Sequence, residues 1–409
     1  MSEGGTSDAG AGAATGPLAG LRVIEPGVLL AGPFCGQLLG DLGAEVIKIE
    51  PPGQPDPLRS WGTVRPQGEG LWFPIVARNK RCATLDLRKP AGQELLRQLV
   101  AGADILVENF RPGTLEKWGL GWEALKAVNP GLIMVRVSGY GQTGPYAGRA
   151  GYASVGEAMG GLRYVIGEPD RVPSRAGISL GDSLAATFGA LGALAALEHR
   201  RRTGEGQVVD TSIYESVLAM MECLIPDWTL GGAIRERTGP VLPKIAPSNI
   251  YRAADGMVVI AANQDTVFAR LAEAVGQPGW VGDPRFSNHR ARGEHQSELD
   301  GLIEAWSSRQ TMDQLEAVCE AHGVPFGRVN RAPEMLADPQ FAARQSIIEL
   351  MHPVLGTFAM QNVFPRLSAT PGQVRWLGRD HGADTDWLCH EVLGLDADQV
   401  AGLRSAAVI

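Results

Sequence analysis

The sequence predicts an α/β fold with an open, mostly parallel, Rossmann-like sheet domain and a smaller α/β domain. The chain has 409 residues, enough for a large core, and two domains are the default expectation at that length. Short apolar segments alternate with helical segments through about the first 220 residues, which is typical of a parallel sheet. Between 225 and 245 the periodicity is lost and Gly and Pro cluster, so we place a domain boundary there.

The strands expected in the sheet domain are short and apolar. In order they are 21–25, 45–50, 81–87, 104–108, 132–137 and 207–213. The helices expected between them are 33–42, 91–101, a Gly-interrupted 114–128, a long one from Leu184 and 214–221. In such sheets ligands bind outside the carboxyl ends of the strands.

The second domain is expected to be small, over 226–334, with the sheet domain at 17–225 and 335–409. A hairpin is predicted at 249–262, with Asp255-Gly256 in its turn. Helices are predicted at 265–275, 296–307 and 312–322, a strand at 323–330 and a further hairpin around Gly356. Residues 1–16 are rich in Gly, Ala and Ser and are expected to form a disordered tail.

Composition argues against several classes of protein. The net charge of −8 and the lack of a long basic run argue against a nucleic-acid partner. The five cysteines are far apart with no CxxC, which favours reduced thiols in the cytoplasm over disulfides or zinc. No apolar run reaches the ~18 residues of a spanning helix, so no membrane association is expected. His381, Asp384 and His390 fit no standard metal spacing, so we expect no metal.

Asp182 stands out because it precedes a helical pattern in which Leu184, Phe188 and Leu191 recur at helical spacing. A carboxylate at a helix N-cap meets unpaired backbone N–H groups and the positive end of the helix dipole, and both favour its ionised form. Asp is also a preferred cap. From this stretch alone Asp182 is either a simple cap or a pre-positioned anionic nucleophile.

Three loops carry cationic or amide donors and predict a rim for an anionic ligand. Asn109–Gly113 and the glycine-rich Ser138–Pro145 follow strands, and Arg78–Arg81 precedes one. Standard motifs are missing: the first βα turn lacks G-x-G-x-x-G, which disfavours a nicotinamide dehydrogenase. There is no Walker A sequence, no G-x-S-x-G and no His in the first 198 residues.

Together these residues resemble the class III coenzyme A transferases, the family of formyl-CoA, carnitine-CoA and succinyl-CoA transferases. The resemblance runs from about Leu18 to the C-terminus. The motifs that carry it are Leu30-Ala-Gly-Pro33, Leu42-Gly-Ala-Glu-Val-Ile-Lys-Ile-Glu50, Asn79-Lys-Arg81, Val107-Glu-Asn-Phe110, Ser138-Gly-Tyr-Gly-Gln-Thr-Gly-Pro145, Gly181-Asp182 and Thr203-Gly-Glu-Gly-Gln-Val-Val-Asp210.

The resemblance implies that Asp182 is the catalytic nucleophile of a ping-pong reaction through an aspartyl anhydride and an aspartyl-CoA thioester. It implies coenzyme A as substrate, no permanently bound cofactor, an interlocked homodimer, and a large domain built from both ends of the chain. The family's CoA positions fall on Leu30, Asn79, Lys80, Arg81, Asn109, Phe110, Arg111, Lys117 and Tyr140. Two basic residues found in the family are replaced here, by Pro51 and Ser138.

Two other functions of the same fold stay open. An α-methylacyl-CoA racemase pairs the aspartate with a histidine, but the matching stretch here is Gly151-Tyr-Ala-Ser154, and racemisation needs a second proton-transfer group. A non-catalytic CoA-binding relative would be expected to lack Asp182 or the glycine-rich loops. The substrate is expected to contact Gly141 and Gln142, and Arg175 and Lys244 are candidates to bind a second carboxylate.

Overall fold

A computed structural model describes residues 15–409. Residues 1–14 of the tail predicted at 1–16 lie outside the described residues. The chain divides into two compact units. The first runs through Leu162 and includes Ala176–Cys223 and Ala343–Ile409. The second contains Arg163–Arg175 and Leu224–Ala342, so it includes a segment that the sequence prediction assigned to the large domain.

The strands and helices of the described chain are as follows. The strands are β1 (Arg22–Glu25), β2 (Glu45–Glu50), β3 (Lys80–Thr84), β4 (Ile105–Glu108), β5 (Ile133–Ser138), β6 (Val208–Ser212), β7 (Ser248–Arg252), β8 (Met257–Ala261), β9 (Phe326–Arg328), β10 (Ile347–His352) and β11 (Gly356–Gln361). The helices are α1 (Ala31–Asp41), α2 (Trp72–Val76), α3 (Pro90–Ala101), α4 (Thr114–Lys117), α5 (Trp122–Val128), α6 (Ala153–Met159), α7 (Leu162–Val165), α8 (Leu180–Thr203), α9 (Ile213–Leu218), α10 (Leu224–Gly231), α11 (Asp265–Ala274), α12 (His289–Glu294), α13 (Gln296–Ser307), α14 (Met312–His322), α15 (Ala332–Ala337), α16 (Pro339–Ala343), α17 (Thr385–Trp387) and α18 (Ala397–Ser405).

The first unit is built on a six-stranded parallel sheet with strand order β3-β2-β1-β4-β5-β6. The mixed α/β fold and parallel sheet expected from the sequence are therefore confirmed. The chain crosses from one half of the sheet to the other between β1 and β4, which are neighbours. The carboxyl ends of these two strands form the topological switch point, where sheets of this order bind ligands.

Helices cover both faces of the sheet. On one face α1 and α8 pack together against the strands, with Val23, Leu39, Val135 and Ala185 fully buried between them. α8 is the helix of the described chain that is long and apolar enough to cross a membrane, with a mean hydropathy of 1.5. Core helices of globular proteins pass the same test, and this one packs on β5 and β6.

The other face is covered by α3, α5 and the C-terminal segment. Ile24 and Leu106 of the sheet pack there with Leu96 of α3, and Leu388 and Val400 belong to the same apolar cluster. The first unit is therefore completed by residues from the end of the chain. The hairpin β10–β11, which the sequence predicted around Gly356, also lies in this unit.

The second unit contains a three-stranded antiparallel sheet with the order β7-β8-β9. The hairpin predicted at 249–262 is present as β7 and β8. Its core is formed by side chains such as Tyr251, Phe268, Phe286 and Leu299, all 1% exposed or less.

A buried group of four charges supports the loop that follows β1. Lys48 Nζ lies 2.8 Å from Asp56 Oδ2 and 3.6 Å from Glu25 Oε1, and Lys80 Nζ lies 2.7 Å from Glu25 Oε2. The two lysines also donate to backbone carbonyls of the adjacent turn, at Gly27 and Pro33. Burial works to lower the pKa of Lys48, but Asp56 and Glu25 together raise it above its ordinary value. Burial lowers the pKa of Lys80, and Glu25 only partly offsets this.

Candidate active site

The carboxyl ends of β1, β4 and β5 border a cleft of ≈ 270 Å³ at the switch point of the sheet. Asp182 lines it, together with residues of the loops that follow these three strands. The lining residues are Val28–Ala31, Trp61, Asn109–Pro112, Val137–Gly139, Ala147, Arg149–Tyr152, Asp182 and Ile213. Of the residues expected to bind CoA, the structure thus brings Leu30, Asn109, Phe110 and Arg111 together with Asp182.

Asp182 lies in the first turn of α8 and does not cap it. The helix begins at Leu180, with Ser179 at the N-cap, four residues before the apolar period on which the prediction rested. Asp182 is therefore the third helical residue, and it is half-buried. The first-turn N–H groups have no partner within the helix, so the electrostatic reason for an anion at this place still holds.

A buried glutamate holds the turn that carries Asp182. Glu157 of α6 is fully buried, and its Oε1 accepts a hydrogen bond of 3.1 Å from the N–H of Gly181. A Cβ on Gly181 would lie 2.9 Å from Ile213 Cγ2 and 3.2 Å from the carbonyl oxygen of Ala153. Sequence reasoning missed Glu157, because α6 is too short and too rich in small residues to show a helical period.

The opposite wall is the loop between β1 and α1, and Asn109 clamps it. The Asn109 side chain accepts from the N–H of Val28 and donates to its carbonyl, both at 2.8 Å. Asp56 accepts the N–H of Leu29, which has a positive φ of 62°. α1 begins at Ala31, so a second helix N-terminus lies at the cleft beside that of α8.

A narrow slot of ≈ 90 Å³ shares Val28 and Phe110 with the cleft. Its walls are mostly apolar, and the rings of Phe110 and Trp118 meet edge to face with centroids 5.4 Å apart. The lining residues are Pro26, Val28, Ile49, Pro51, Leu85–Arg88, Phe110 and Trp118. Leu85–Arg88 were not predicted as site residues from the sequence. They follow the carboxyl end of β3, where ligands of parallel sheets bind.

The glycine-rich loop after β5 is bonded to itself and to β6. The N–H of Gly141 donates to Ser138 Oγ at 2.9 Å, and that of Gln142 donates to the Asp210 carboxylate at 3.0 Å. Tyr140 meets the ring of Tyr146 edge to face, with centroids 5.9 Å apart. Tyr140, Gly141 and Gln142 therefore shape the loop beside the cleft without lining it.

The predicted Asn79-Lys-Arg81 lies at the amino ends of the strands, away from the cleft. Lys80 is fully buried and bonded to Glu25, and Asn79, 1% exposed, donates to Asp41 Oδ1 at 2.9 Å. Arg81 pairs with Asp384 at 3.2 Å and lines a different cavity, of ≈ 480 Å³. Contact of these three residues with CoA stays a prediction.

Three further predicted residues are not among those that line the cleft. Lys117 is exposed at the end of α4, next to Trp118 of the slot. Arg175 and Lys244 are exposed residues of the second unit, and the backbone N–H of Lys244 donates to Gln296 at 3.0 Å. Their contact with substrate stays a prediction.

Comparison with known proteins gives concordant matches over almost the whole chain. Residues 18–385 match the model of CoA-transferase family III. The chain is 60% identical over 394 residues to the succinyl-CoA–D-citramalate CoA-transferase of Chloroflexus aurantiacus, covering 96% of this chain and 98% of the relative. It is 40% identical over 397 residues to the beta subunit of a succinyl-CoA–L-malate CoA-transferase from the same organism, with coverage of 96% and 98%. A crystal structure of a CAIB/BAIF family protein from Brucella suis matches with a TM-score of 0.83 and 34% identity, covering 92% and 100%.

Proposed function

The chain belongs to CoA-transferase family III, and we propose that it moves coenzyme A from succinyl-CoA to an acceptor dicarboxylate with Asp182 as the nucleophile. It is a CoA-transferase, and an acyl-CoA thioester and a carboxylate are its substrates. The identity of the acids is supported by two similar proteins, named for transfer from succinyl-CoA to D-citramalate and to L-malate. The observation that carries the mechanism is the place of Asp182, in the first turn of α8 and in the cleft at the switch point.

The cleft and the slot, which share Val28 and Phe110, suit the two ends of the coenzyme. A cleft of ≈ 270 Å³ is at the small end of ligand sites, which span about 300–1,000 Å³, so it suits the thioester end and not the whole molecule. The slot between Trp118 and Leu85–Leu87 has the apolar walls that a purine ring prefers, and Arg88 and Lys117 beside it suit phosphates. Coenzyme A enters as substrate, and the proposal requires no permanently bound cofactor.

In the first half-reaction an Asp182 carboxylate oxygen attacks the carbonyl carbon of succinyl-CoA, the C–S bond breaks, and CoA leaves as thiolate. The thiolate then attacks the Asp182 carbonyl of the mixed anhydride, which gives aspartyl-CoA thioester and free succinate. The acceptor carboxylate attacks this thioester and again releases the thiolate. Attack of the thiolate on the acceptor's carbonyl yields the new acyl-CoA and restores Asp182. Covalent catalysis thus divides the transfer into easier steps.

Negative charge on the thioester oxygen is stabilised by the start of α1. Ala31 and Gly32 are the first residues of that helix, and their N–H groups are among those without helical partners. Such backbone donors are effective oxyanion stabilisers because they are already oriented. The N–H groups of Gly141 and Gln142 are engaged in the loop, so we assign this role to α1.

Mass spectrometry after incubation with succinyl-CoA tests the mechanism. Hydroxylamine converts an aspartyl anhydride or thioester into a hydroxamate, so the wild-type protein should carry this adduct on Asp182 and the D182A variant should not. A matched control is Glu198→Gln, an exposed carboxylate near the other end of the same helix, which should keep the adduct. An unmodified Asp182 in a protein that still transfers CoA would contradict the covalent route.

We also propose that the protein works in the cytoplasm as an interlocked homodimer, without nucleic-acid or membrane partners. One similar protein is named as a beta subunit, so assembly with a different chain is the alternative. Light scattering on the purified protein distinguishes the two. Twice the chain mass with full transfer activity supports the homodimer, and a monomer that gains activity only with a second polypeptide contradicts it.

A further inference from the structure

The cleft contains an arginine whose charge no carboxylate neutralises. Within residues 15–409, the guanidinium of Arg149 makes no ion pair and no hydrogen bond. Arg149 is exposed, and it differs from Arg59 and Arg136 of the same unit, whose guanidinium groups pair with Glu50 and Glu108. A cation at a ligand cleft without a protein partner is a ready site for an anionic group.

Arg149 is nevertheless held in place. Its Cζ lies 3.7 Å from the centroid of the Tyr146 ring, and its backbone N–H donates to the Tyr146 carbonyl at 2.9 Å. Tyr146 in turn meets Tyr140 edge to face. Contact with the ring uses none of the five N–H donors of the guanidinium, so its planar fork is available to bind a carboxylate with two hydrogen bonds.

The chain after Arg149 leads directly to the turn that carries Asp182. Gly151 passes so close to the end of β5 that a Cβ on Gly139 would lie 2.9 Å from Gly151 Cα. Two residues later the carbonyl of Ala153 lies against Gly181. Arg149 and Asp182 therefore belong to one continuous wall of the cleft.

The other arginine of the cleft has different surroundings. Arg111 follows β4 and comes directly after Phe110, which lines both the cleft and the slot. That position is on the route from the thioester to the adenine end of the ligand. Arg111 is therefore suited to the coenzyme, whereas Arg149 is suited to the acyl group.

We propose that Arg149 selects dicarboxylic acyl groups by binding their distal carboxylate while the thioester carbonyl meets Asp182. The inference rests on the proposed function. Because donor acid and acceptor acid use the same place in turn, Arg149 would bind the far carboxylate of both. An acyl chain that ends in a methyl group leaves the guanidinium without its partner and is bound less well. The assignment differs from Arg175 and Lys244, the candidates that the sequence suggested.

Isotope exchange tests the proposal without knowledge of the acceptor. Labelled succinate exchanges into succinyl-CoA, and labelled butyrate into butyryl-CoA, which carries a methyl in place of the distal carboxylate. Arg149→Gln should lower kcat/KM for succinate exchange about 10- to 100-fold, the range for charge-assisted hydrogen bonds, and leave butyrate exchange at its wild-type rate. Arg149→Lys should have an intermediate kcat/KM for succinate exchange, because an ammonium group keeps the charge but lacks the paired, planar donors of a guanidinium.

Matched variants separate the outcomes. Arg111→Gln should weaken binding of free CoA in calorimetry and slow both exchanges alike, whereas Arg149→Gln should bind free CoA as the wild type does. Equal losses for both acids in Arg149→Gln, or a selective loss of succinate exchange in Arg175→Gln instead, would overturn the proposal while CoA transfer stands. A wild-type protein that exchanges neither acid would overturn the proposed function and this inference with it.

Discussion

Replacement of Lys80 by Met separates a structural role from a role in binding CoA. Lys80 Nζ lies 2.7 Å from Glu25 Oε2 and 2.6 Å from the Pro33 carbonyl, and both charged side chains are 0% exposed. Breaking a buried ion pair from one side costs about 3–5 kcal/mol. Lys48 remains 3.6 Å from the other oxygen of Glu25, so we expect the lower end, about 3 kcal/mol of local stability.

Amide hydrogen exchange is the suitable assay, because it can be measured separately for β1 and β3. It also does not assume that a chain of two units unfolds in one step. A loss of about 3 kcal/mol corresponds to exchange roughly 100-fold faster in those strands. The double variant Lys80→Met/Glu25→Gln should recover much of the protection, because no buried charge is then left unpaired.

A matched control is Lys117→Met, an exposed lysine expected to contact CoA. It should weaken CoA binding in a salt-dependent way and leave exchange in β1 and β3 unchanged. If Lys80→Met instead leaves exchange unchanged and weakens CoA binding in the same salt-dependent way, the structural reasoning is refuted and Lys80 contacts the coenzyme.

Three further outcomes can be measured. All five cysteines lie in the described chain, and only Cys223 is exposed. Burial raises the pKa of the Cys35 thiol to about 12. A thiol reagent at pH 8 should therefore modify one cysteine, and a second cysteine that reacts equally fast would contradict this. Burial works to raise the pKa of Glu50, but the hydrogen bonds that it accepts from Arg59 lower its pKa below the ordinary value. The pair therefore stabilises the fold above about pH 4.3. The loss of thermal stability caused by Arg59→Gln should become smaller below that pH, and a loss that does not change with pH would contradict this. A Cβ on Gly181 would crowd Ile213, so Gly181→Ala should lower kcat about 10- to 100-fold, whereas Gly301→Ala, where nothing lies within 4 Å, should be neutral.

The sheet could be predicted because its strands are short apolar runs separated by helical segments of the usual length. β2 lies over the predicted residues and β4 within one residue of them. The prediction extended β3 to residue 87, whereas the strand ends at Thr84. Leu85 and Leu87 continue the apolar pattern because they are buried at the edge of the slot, and periodicity cannot distinguish burial in a slot from burial in a strand.

Some predicted residues in the loops that follow a strand line the cleft, whereas those in the segment at the start of β3 do not. Asn109 and Phe110 follow β4 and line the cleft, since the carboxyl ends of parallel strands share one edge. Asn79 precedes β3, and Lys80 and Arg81 begin it, so the three residues lie at the opposite edge of the sheet. Glu157 and Arg149 gave no signal in the sequence, because their importance comes from contacts with Gly181 and Tyr146 that only the folded chain brings together.

The third helical position of Asp182 also bears on how stable the proposed covalent intermediates are relative to the free enzyme. The positive end of α8 favours an anion by about 0.3–1 kcal/mol, and by up to ~2 when partly buried. The anhydride and the thioester carry no charge on that carboxyl group, so they lack this stabilisation, and the helix favours the final step, in which attack on the acceptor's carbonyl releases the Asp182 carboxylate. At the upper limit of ~2 kcal/mol this changes the equilibrium constant for releasing the carboxylate by a factor of about 30. The helix terminus that carries the proposed nucleophile would thereby also keep the proposed acylated enzyme from becoming too stable to react further.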